Sequence, residues 1–102
     1  MKLVRVEGLP EAPLAAAAEF YARIAPDLPQ ATDLLLVFPP ADHTHRLWRL
    51  AAVQELARAA APHRVNGVAA VSAAGLAAAR VLIDSGQGFT GQYLVLDEAQ
   101  VV

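Results

Sequence analysis

Short apolar segments alternate with alanine-rich segments along the chain. Four apolar segments have the length and residue types of β-strands, and they span residues 3–7, 33–38, 64–71 and 92–97. Three segments between them are helix-like, and they span residues 14–25, 42–61 and 73–84. Strand and helix therefore alternate as β-α-β-α-β-α-β, which predicts an α/β domain with a four-stranded parallel sheet. We expect the strands to follow sequence order across this sheet.

The first two predicted strands differ in how their side chains are distributed. In the first strand, Val4 and Val6 point to one face of the sheet. The opposite face carries the charged residues Arg5 and Glu7, so we expect it to be partly exposed to water. The second strand, residues 33–38, is a continuous apolar run, which is typical of a parallel strand covered on both faces.

The predicted helices carry two local signals. In the longest helix, one face is traced by Leu47, Leu50, Ala51, Gln54 and either Ala57 or Arg58, and alanines fill much of the rest. Ser72 precedes the third helix and is predicted to be its N-cap. The segment Ser85-Gly86-Gln87-Gly88 predicts a glycine-rich turn before the last strand.

Composition narrows the classes of function. A chain of 102 residues with 56% hydrophobic and 18% charged residues is expected to form one domain. A net charge of −2 gives no electrostatic case for binding nucleic acid or an anionic membrane. The chain contains no cysteine, which excludes disulfides and thiolate metal sites. No apolar run reaches the roughly 20 residues that span a bilayer, and the N-terminus does not resemble a signal peptide, so we expect a cytoplasmic protein.

The densest group of polar side chains lies in the stretch PPADHTHRLWR, residues 39–49. The candidate ligand-contacting residues there are Asp42, His43, His45 and Arg46. Three interpretations remain open: a polar start of a helix, a ligand-contacting loop, or a metal site. On a helix the two histidines would point about 200° apart, so one metal ion could not bind both. We therefore assign no metal site, although an extended segment could bring the two rings to one side.

Two segments resemble a known family when they are taken together. The segment LARAAAPHRVNGVAA, residues 56–70, resembles the helix and strand that follow the catalytic motif of short-chain dehydrogenases/reductases (SDRs). The segment FTGQYLVLD, residues 89–97, resembles the final strand of that family. The chain therefore resembles the C-terminal half of an SDR. This resemblance implies a three-layer half-Rossmann fold with the first two helices on one face and the last helix on the other, reached through a left-handed crossover. The first strand would then be an edge strand.

The resemblance does not extend to the family's catalytic and cofactor-binding residues. Counting back from Ala61-Pro62-His63 places the family's catalytic tyrosine at Asp42 and its lysine at Arg46. An aspartate beside an arginine is a weak base, and the arginine stays protonated. The sequence also contains neither Gly-x-x-x-Gly-x-Gly nor Gly-x-Gly-x-x-Gly, which cradle the dinucleotide. We therefore assign no catalytic or cofactor-binding residue and expect no cofactor.

The resemblance implies a non-catalytic subunit that assembles through its helices. The matching helix of the family packs against its symmetry mate, and the candidate interface residues here are Leu47, Trp48, Ala52, Glu55 and Ala59. The partner would be a second copy of the chain or a full-length SDR, giving a homo-oligomer or a hetero-oligomer. The alternative is a small enzyme or a ligand-binding module that uses the Asp42–Arg46 loop at the C-terminal ends of the strands.

Overall fold

A computed structural model describes residues 1–70, 72–85 and 88–96. Its strands are β1 (Lys2–Arg5), β2 (Leu34–Phe38), β3 (Val65–Ala69) and β4 (Tyr93–Val95). Its α-helices are α1 (Pro13–Glu19), α2 (Arg46–Ala60) and α3 (Ala73–Ser85). Among the described residues, the four strands form one parallel sheet in the order β1-β2-β3-β4, which confirms the predicted α/β fold and strand order. Four residues of the predicted strand ends and the predicted turn lie outside the described residues: Val71, Gly86, Gln87 and Asp97.

The strand register brings the carboxyl ends of the strands to one edge of the sheet. Lys2 pairs with Leu34, Leu34 pairs with Val65, and Gly67 pairs with Tyr93. Every residue of β2 and β3 is buried, which confirms that the sheet is covered on both faces. Both Lys2 and Arg5 of β1 are exposed, as expected for a strand at the edge of the described sheet.

The two faces of the sheet bury different kinds of side chains. We call the side covered by α1 and α2 the aromatic face; its side chains include Val6, Phe20, Leu36, Phe38, Trp48, Val53 and Tyr93. We call the side covered by α3 the aliphatic face; its side chains include Leu3, Leu35, Val37, Val68, Leu76, Ala79 and Ile83. The three crossovers step across the sheet in one direction. Because α3 lies on the opposite face from α1 and α2, its crossover has the opposite hand from the first two.

The helix α1 begins at a proline and ends at Glu19, before the next proline of the chain. Pro13 occupies its first turn, where a missing N–H costs no hydrogen bond. The chain then continues through a π-helical turn, Phe20–Ile24, and a 3-10 turn, Ala25–Asp27, so the predicted helix of residues 14–25 is irregular in its second half. Phe20 is fully buried and carries this segment onto the aromatic face.

The helix α2 packs unusually close to β3. A Cβ atom added to Gly67 would lie 2.8 Å from Cγ2 of Val53 on α2, so the absence of a side chain at Gly67 permits the approach. The buried residues of α2 are Arg49, Ala52, Val53 and Ala57. The face traced from the sequence is therefore wrong in its orientation, since Leu47, Ala51 and Gln54 are exposed.

The third helix begins as predicted. The Ser72 hydroxyl accepts a hydrogen bond from the backbone N–H of Gly75 at 3.0 Å, as an N-cap side chain does. Among the described residues, no helix is both long and apolar enough to cross a bilayer.

Candidate functional site

A cavity of about 590 Å³ opens where the chain leaves β1 and β2. One wall comes from residues 8–16, which follow β1, and the other from residues 39–49, which follow β2. The side chains around it that can bond a ligand are those of Glu11, Asp42, Thr44, His45, Trp48 and Arg49. Open α/β sheets bind their ligands at the carboxyl ends of the strands, so the location of this cavity suits a binding site.

Asp42 starts the helical segment that forms one wall of the cavity. Its carboxylate accepts a hydrogen bond from the backbone N–H of Thr44 at 2.9 Å and a second from the Thr44 hydroxyl. The hydroxyl of Thr44, followed by its N–H, holds the pKa of the Asp42 carboxyl below its ordinary value. A 3-10 turn, His43–His45, follows Asp42 and leads into α2. Asp42 is thus a helix cap with an ionised carboxylate, as the first of the three interpretations requires.

His45 is buried, and both of its ring nitrogens are occupied. The Trp48 indole N–H donates to Nδ1 of His45 at 2.9 Å. The other ring nitrogen, Nε2, lies 2.8 Å from the carbonyl oxygen of Glu11 and therefore donates to it. These two bonds define a neutral imidazole protonated at Nε2. They also tie the start of α2 to the segment after β1, so His45 holds the two walls of the cavity together.

The four candidate residues of the polar loop do not converge. Asp42 and His45 line the cavity, whereas His43 and Arg46 are exposed and do not line it. Asp42 and Arg46 form no ion pair in the described part of the chain. Within the same residues, no three acidic or histidine side chains come together as metal ligands. Of the four candidate residues, two therefore contribute side chains to the cavity, and both are already hydrogen-bonded.

Arg49 is the polar residue that the sequence interpretation missed. Its side chain lines the cavity, yet the residue is only 3% exposed. Nη1 donates to the carbonyl oxygen of Pro39 at 2.8 Å and to the Tyr93 hydroxyl at 3.1 Å. The guanidinium carbon lies 4.9 Å from the centroid of the Phe38 ring and 5.8 Å from that of Trp48. Both contacts are favourable cation–π geometries.

A sequence signal for Arg49 does exist. His45, Arg49 and Val53 recur at four-residue intervals, so they lie on one side of α2. Because Val53 packs against the sheet, the same side carries Arg49 inward. The large apolar neighbours Leu47 and Leu50 concealed this pattern.

Comparison with protein families identifies the chain. The family model described as "Short chain dehydrogenase-like protein" (SDR-like) matches residues 4–96, which is most of the sequence. The chain belongs to the SDR-like family. Comparisons with curated proteins and with solved structures gave no significant match.

The SDR-like family match confirms the resemblance seen in the sequence. In the structure, the Arg-Val-Asn segment that carried part of this resemblance helps to position the chain before β4. The amide nitrogen of Asn66 donates to the carbonyl oxygen of Phe89 at 3.0 Å. Its carbonyl oxygen accepts from the backbone N–H of Gln92 at 3.1 Å. The Thr90 hydroxyl accepts from the N–H of Val65 at 3.1 Å. Together these bonds fix the segment before β4 against β3.

The candidate interface residues of the SDR-like chain divide into two groups. Leu47 is 78% exposed, and Glu55 and Ala59 are also exposed, so all three remain available to a partner. Ala52, in contrast, is fully buried against the sheet. Trp48 is half-buried and packs on the Phe20 and Phe38 rings at centroid distances of 5.6 and 5.9 Å. The assignment of Ala52 to an interface needs correction, because the sheet already covers it. Trp48 is only partly covered by the neighbouring rings, so its place in an interface stays a prediction.

Proposed function

We propose that the chain is a non-catalytic SDR-like subunit that assembles through the exposed side of α1 and α2. The observation that supports non-catalytic status is the environment of the two positions that match the family's tyrosine and lysine. The Asp42 carboxylate is engaged by Thr44 and its pKa is lowered, which makes it a weak base. Arg46 is exposed and stays protonated at any physiological pH. Neither side chain can exchange a proton with a substrate near neutral pH as a tuned tyrosine does.

The surface proposed for assembly is the exposed side of the first two helices. We call it the outer helical surface, and it consists of Leu14, Tyr21, Leu47, Glu55 and Ala59. Leu14 is 88% exposed and Leu47 is 78% exposed. Partial burial and then the negative charge of Glu55 raise the pKa of the Tyr21 hydroxyl, because the π-helical turn after α1 lies beside α2 here. Small side chains on the two helices would let a second pair of helices approach closely in a two-fold arrangement.

Light scattering on the purified chain tests the assembly. We expect a dimer or larger species at micromolar concentration, and we expect Leu47→Glu to dissociate it by placing charges inside the contact. Ala78→Glu on α3 is the matched control, because Ala78 is exposed on the other side of the sheet. A monomeric wild-type chain would overturn self-assembly. Assembly with a full-length SDR would then be tested by light scattering on a mixture of the two proteins.

Calorimetric titration with NAD and NADP tests the lack of a cofactor. We expect no saturable heat, because the sequence contains no glycine-rich dinucleotide motif. A complex with a low-micromolar dissociation constant, which corresponds to about −8 kcal/mol, would contradict the proposal. Turnover of a carbonyl or alcohol substrate with either cofactor would contradict it as well.

A ligand-binding module is the second candidate, and one observation favours it. The cavity at the carboxyl ends of β1 and β2 is lined by Arg49, a buried cation that forms no ion pair with the described residues. The titration described in the following subsection tests this candidate.

A further inference from the structure

The positive charge of Arg49 lacks a compensating negative charge. Burying an ionised side chain without a counterion costs several kcal/mol. Two hydrogen bonds and two ring contacts offset part of this cost, but all four involve neutral groups. In the described part of the chain, no carboxylate forms an ion pair with Arg49. A bound anion would supply the missing charge.

The hydrogen bonds of Arg49 leave one edge of its guanidinium group free. Both bonds to the protein are made by Nη1. Nε is fully buried and has no hydrogen-bond partner, and it is the only such side-chain atom among the described residues. Nη2 makes no hydrogen bond with those residues either. The Nε–H and Nη2–H groups point in parallel from one edge of the group, and such a fork can bind a carboxylate through two hydrogen bonds. Because Nε is buried, a carboxylate in the cavity would meet Nη2 first and would reach Nε only after a small shift of the side chains that cover it.

We propose that the cavity binds a small monocarboxylate whose carboxylate pairs with Arg49 and whose body is apolar. The inference deepens the ligand-binding candidate and is independent of the assembly. The volume of about 590 Å³ lies within the range of small-molecule sites. Apolar walls for the body of the ligand come from Leu9, Pro13, Ala16 and Trp48.

The charge pattern favours a monoanion over a phosphate. Glu11 and Asp42 also line the cavity, and both are exposed at its rim. Their negative charges repel an anion, and the repulsion grows with the charge of the ligand. A single negative charge suits one buried guanidinium, whereas a phosphate dianion would meet the two acidic side chains with twice the unfavourable energy.

Nuclear magnetic resonance titration with benzoate tests the site directly. The probe signal is the Nε–H group of Arg49 in a ¹⁵N-labelled chain, assigned with the Arg49→Lys variant. We expect benzoate to shift this signal in a saturable manner. Benzamide has the same shape without the charge, and we expect it to leave the signal in place. Sodium chloride at equal ionic strength is the second control.

Three variants sharpen the result. Arg49→Lys keeps the charge but loses the fork, so we expect benzoate to bind about tenfold more weakly. Arg49→Met should abolish binding. Glu11→Gln removes a rim charge from an exposed side chain, and we expect binding to become about two- to fivefold tighter. If Arg49→Met does not fold, two other results still test whether the cavity binds a carboxylate. They are the difference between benzoate and benzamide and the direction in which Glu11→Gln changes the affinity for benzoate.

Three outcomes would overturn the proposal. An equal response to benzamide would show that the charge of the ligand is irrelevant. An unchanged affinity of Arg49→Lys for benzoate would show that the paired donors of the guanidinium group do not bind the carboxylate. Inorganic phosphate that displaced benzoate at similar concentration would refute the choice of a monocarboxylate. Since light scattering reports the outer helical surface and this titration reports the cavity, the assembly and the ligand site can fail separately.

Discussion

The aromatic and aliphatic faces of the sheet bury different kinds of side chains although they share the same strands. The aliphatic face is built mainly from Leu, Val, Ile and Ala side chains; its one buried polar side chain among the described residues, Asn66, is hydrogen-bonded, and no charged group is buried there. On the aromatic side, the rings of Phe20, Phe38 and Trp48 contact one another, and the buried polar residues His45 and Arg49 lie beside them.

The difference in buried charge between the two faces shows that the free-energy cost of burying a charged group falls on the aromatic face. A buried polar group is tolerated only when its hydrogen bonds are satisfied. His45 meets that condition through Glu11 and Trp48, but Arg49 meets it only in part. Among the described residues, an incompletely satisfied buried group occurs on the aromatic face only, and the proposed ligand site rests on that difference. Four substitutions test this contrast.

Gly67→Ala should have the largest effect, because it forces α2 away from the sheet on the aromatic face. The added Cβ would lie 2.8 Å from Val53 and 3.2 Å from Phe38. We expect the free energy of unfolding to fall by about 3 kcal/mol, at the upper end of overpacking effects. Urea unfolding followed by circular dichroism measures it. Combining it with Val53→Ala should recover part of the loss, and strict additivity of the two substitutions would refute a direct clash.

Val68→Thr tests whether the aliphatic face, which already holds the hydrogen-bonded Asn66, can accept a polar group that has no side-chain partner. Val68 is fully buried, and the substitution keeps its shape while adding a hydroxyl. We expect a loss of about 2 kcal/mol in the free energy of unfolding, since the new hydroxyl has no side-chain partner there. An unchanged unfolding midpoint in urea would show that the aliphatic face tolerates polarity, and the contrast between the faces would then fail.

Asp33→Asn tests how much a polar side chain stabilises the fold at the amino ends of the strands, away from the cavity. The Asp33 carboxylate accepts from the backbone N–H of Arg64 at 2.8 Å and from Nε of Arg64 at 3.3 Å. The backbone bond, then the Arg64 side chain and His63, lower the pKa of the Asp33 carboxyl against the opposing effect of burial. The side chain is 30% exposed, so we expect a loss of only about 0.5–1 kcal/mol at neutral pH.

The pH dependence of Asp33→Asn has a defined sign. A carboxyl whose folded-state pKa is lowered stabilises the fold above its unfolded-state pKa, and this contribution disappears as the pH falls through the folded-state pKa. The difference in unfolding free energy between wild type and Asp33→Asn should therefore be constant above about pH 4 and shrink at lower pH. A difference that grew on acidification would contradict the assignment.

Arg49→Met should have the smallest effect on stability. The substitution removes bonds to Pro39 and Tyr93 but also removes a buried charge without a counterion. Because the two effects oppose each other, we expect the free energy of unfolding to change by less than about 1 kcal/mol. Exposed Arg46 changed to Met is the matched control. A loss above about 3 kcal/mol would make Arg49 a structural residue and weaken the comparison between the faces.

Most of the fold could be predicted because strong local signals agree with the tertiary structure. The run from Leu34 to Phe38 predicts a strand buried on both sides, and the structure confirms it. Asp42 and Ser72 carry the side chains that cap helices, and both do so. The sequence motifs also indicated the family, because the Arg-Val-Asn segment with its neighbours forms hydrogen bonds that fix β3 to the segment before β4.

The site was predicted less well because α2 does not bury its largest side chains. The close approach at Gly67 leaves room for Ala52 and Val53 beneath the helix, so Leu47 points to solvent. Hydrophobicity alone therefore predicts the wrong face. Arginine is rarely buried without a partner, which is why the spacing that carries Arg49 inward was not interpreted as a site.

The hydrogen bond between Trp48 and His45 has a practical consequence. Trp48 is the only tryptophan in the chain, and its indole borders the cavity. The tryptophan fluorescence of the protein therefore comes from one ring in one place. A molecule that enters the cavity changes the polarity around that ring, and a break between His45 and the carbonyl oxygen of Glu11 changes the surroundings of the histidine to which the indole N–H donates. The protein thus contains its own optical reporter of cavity occupancy, and no label has to be attached.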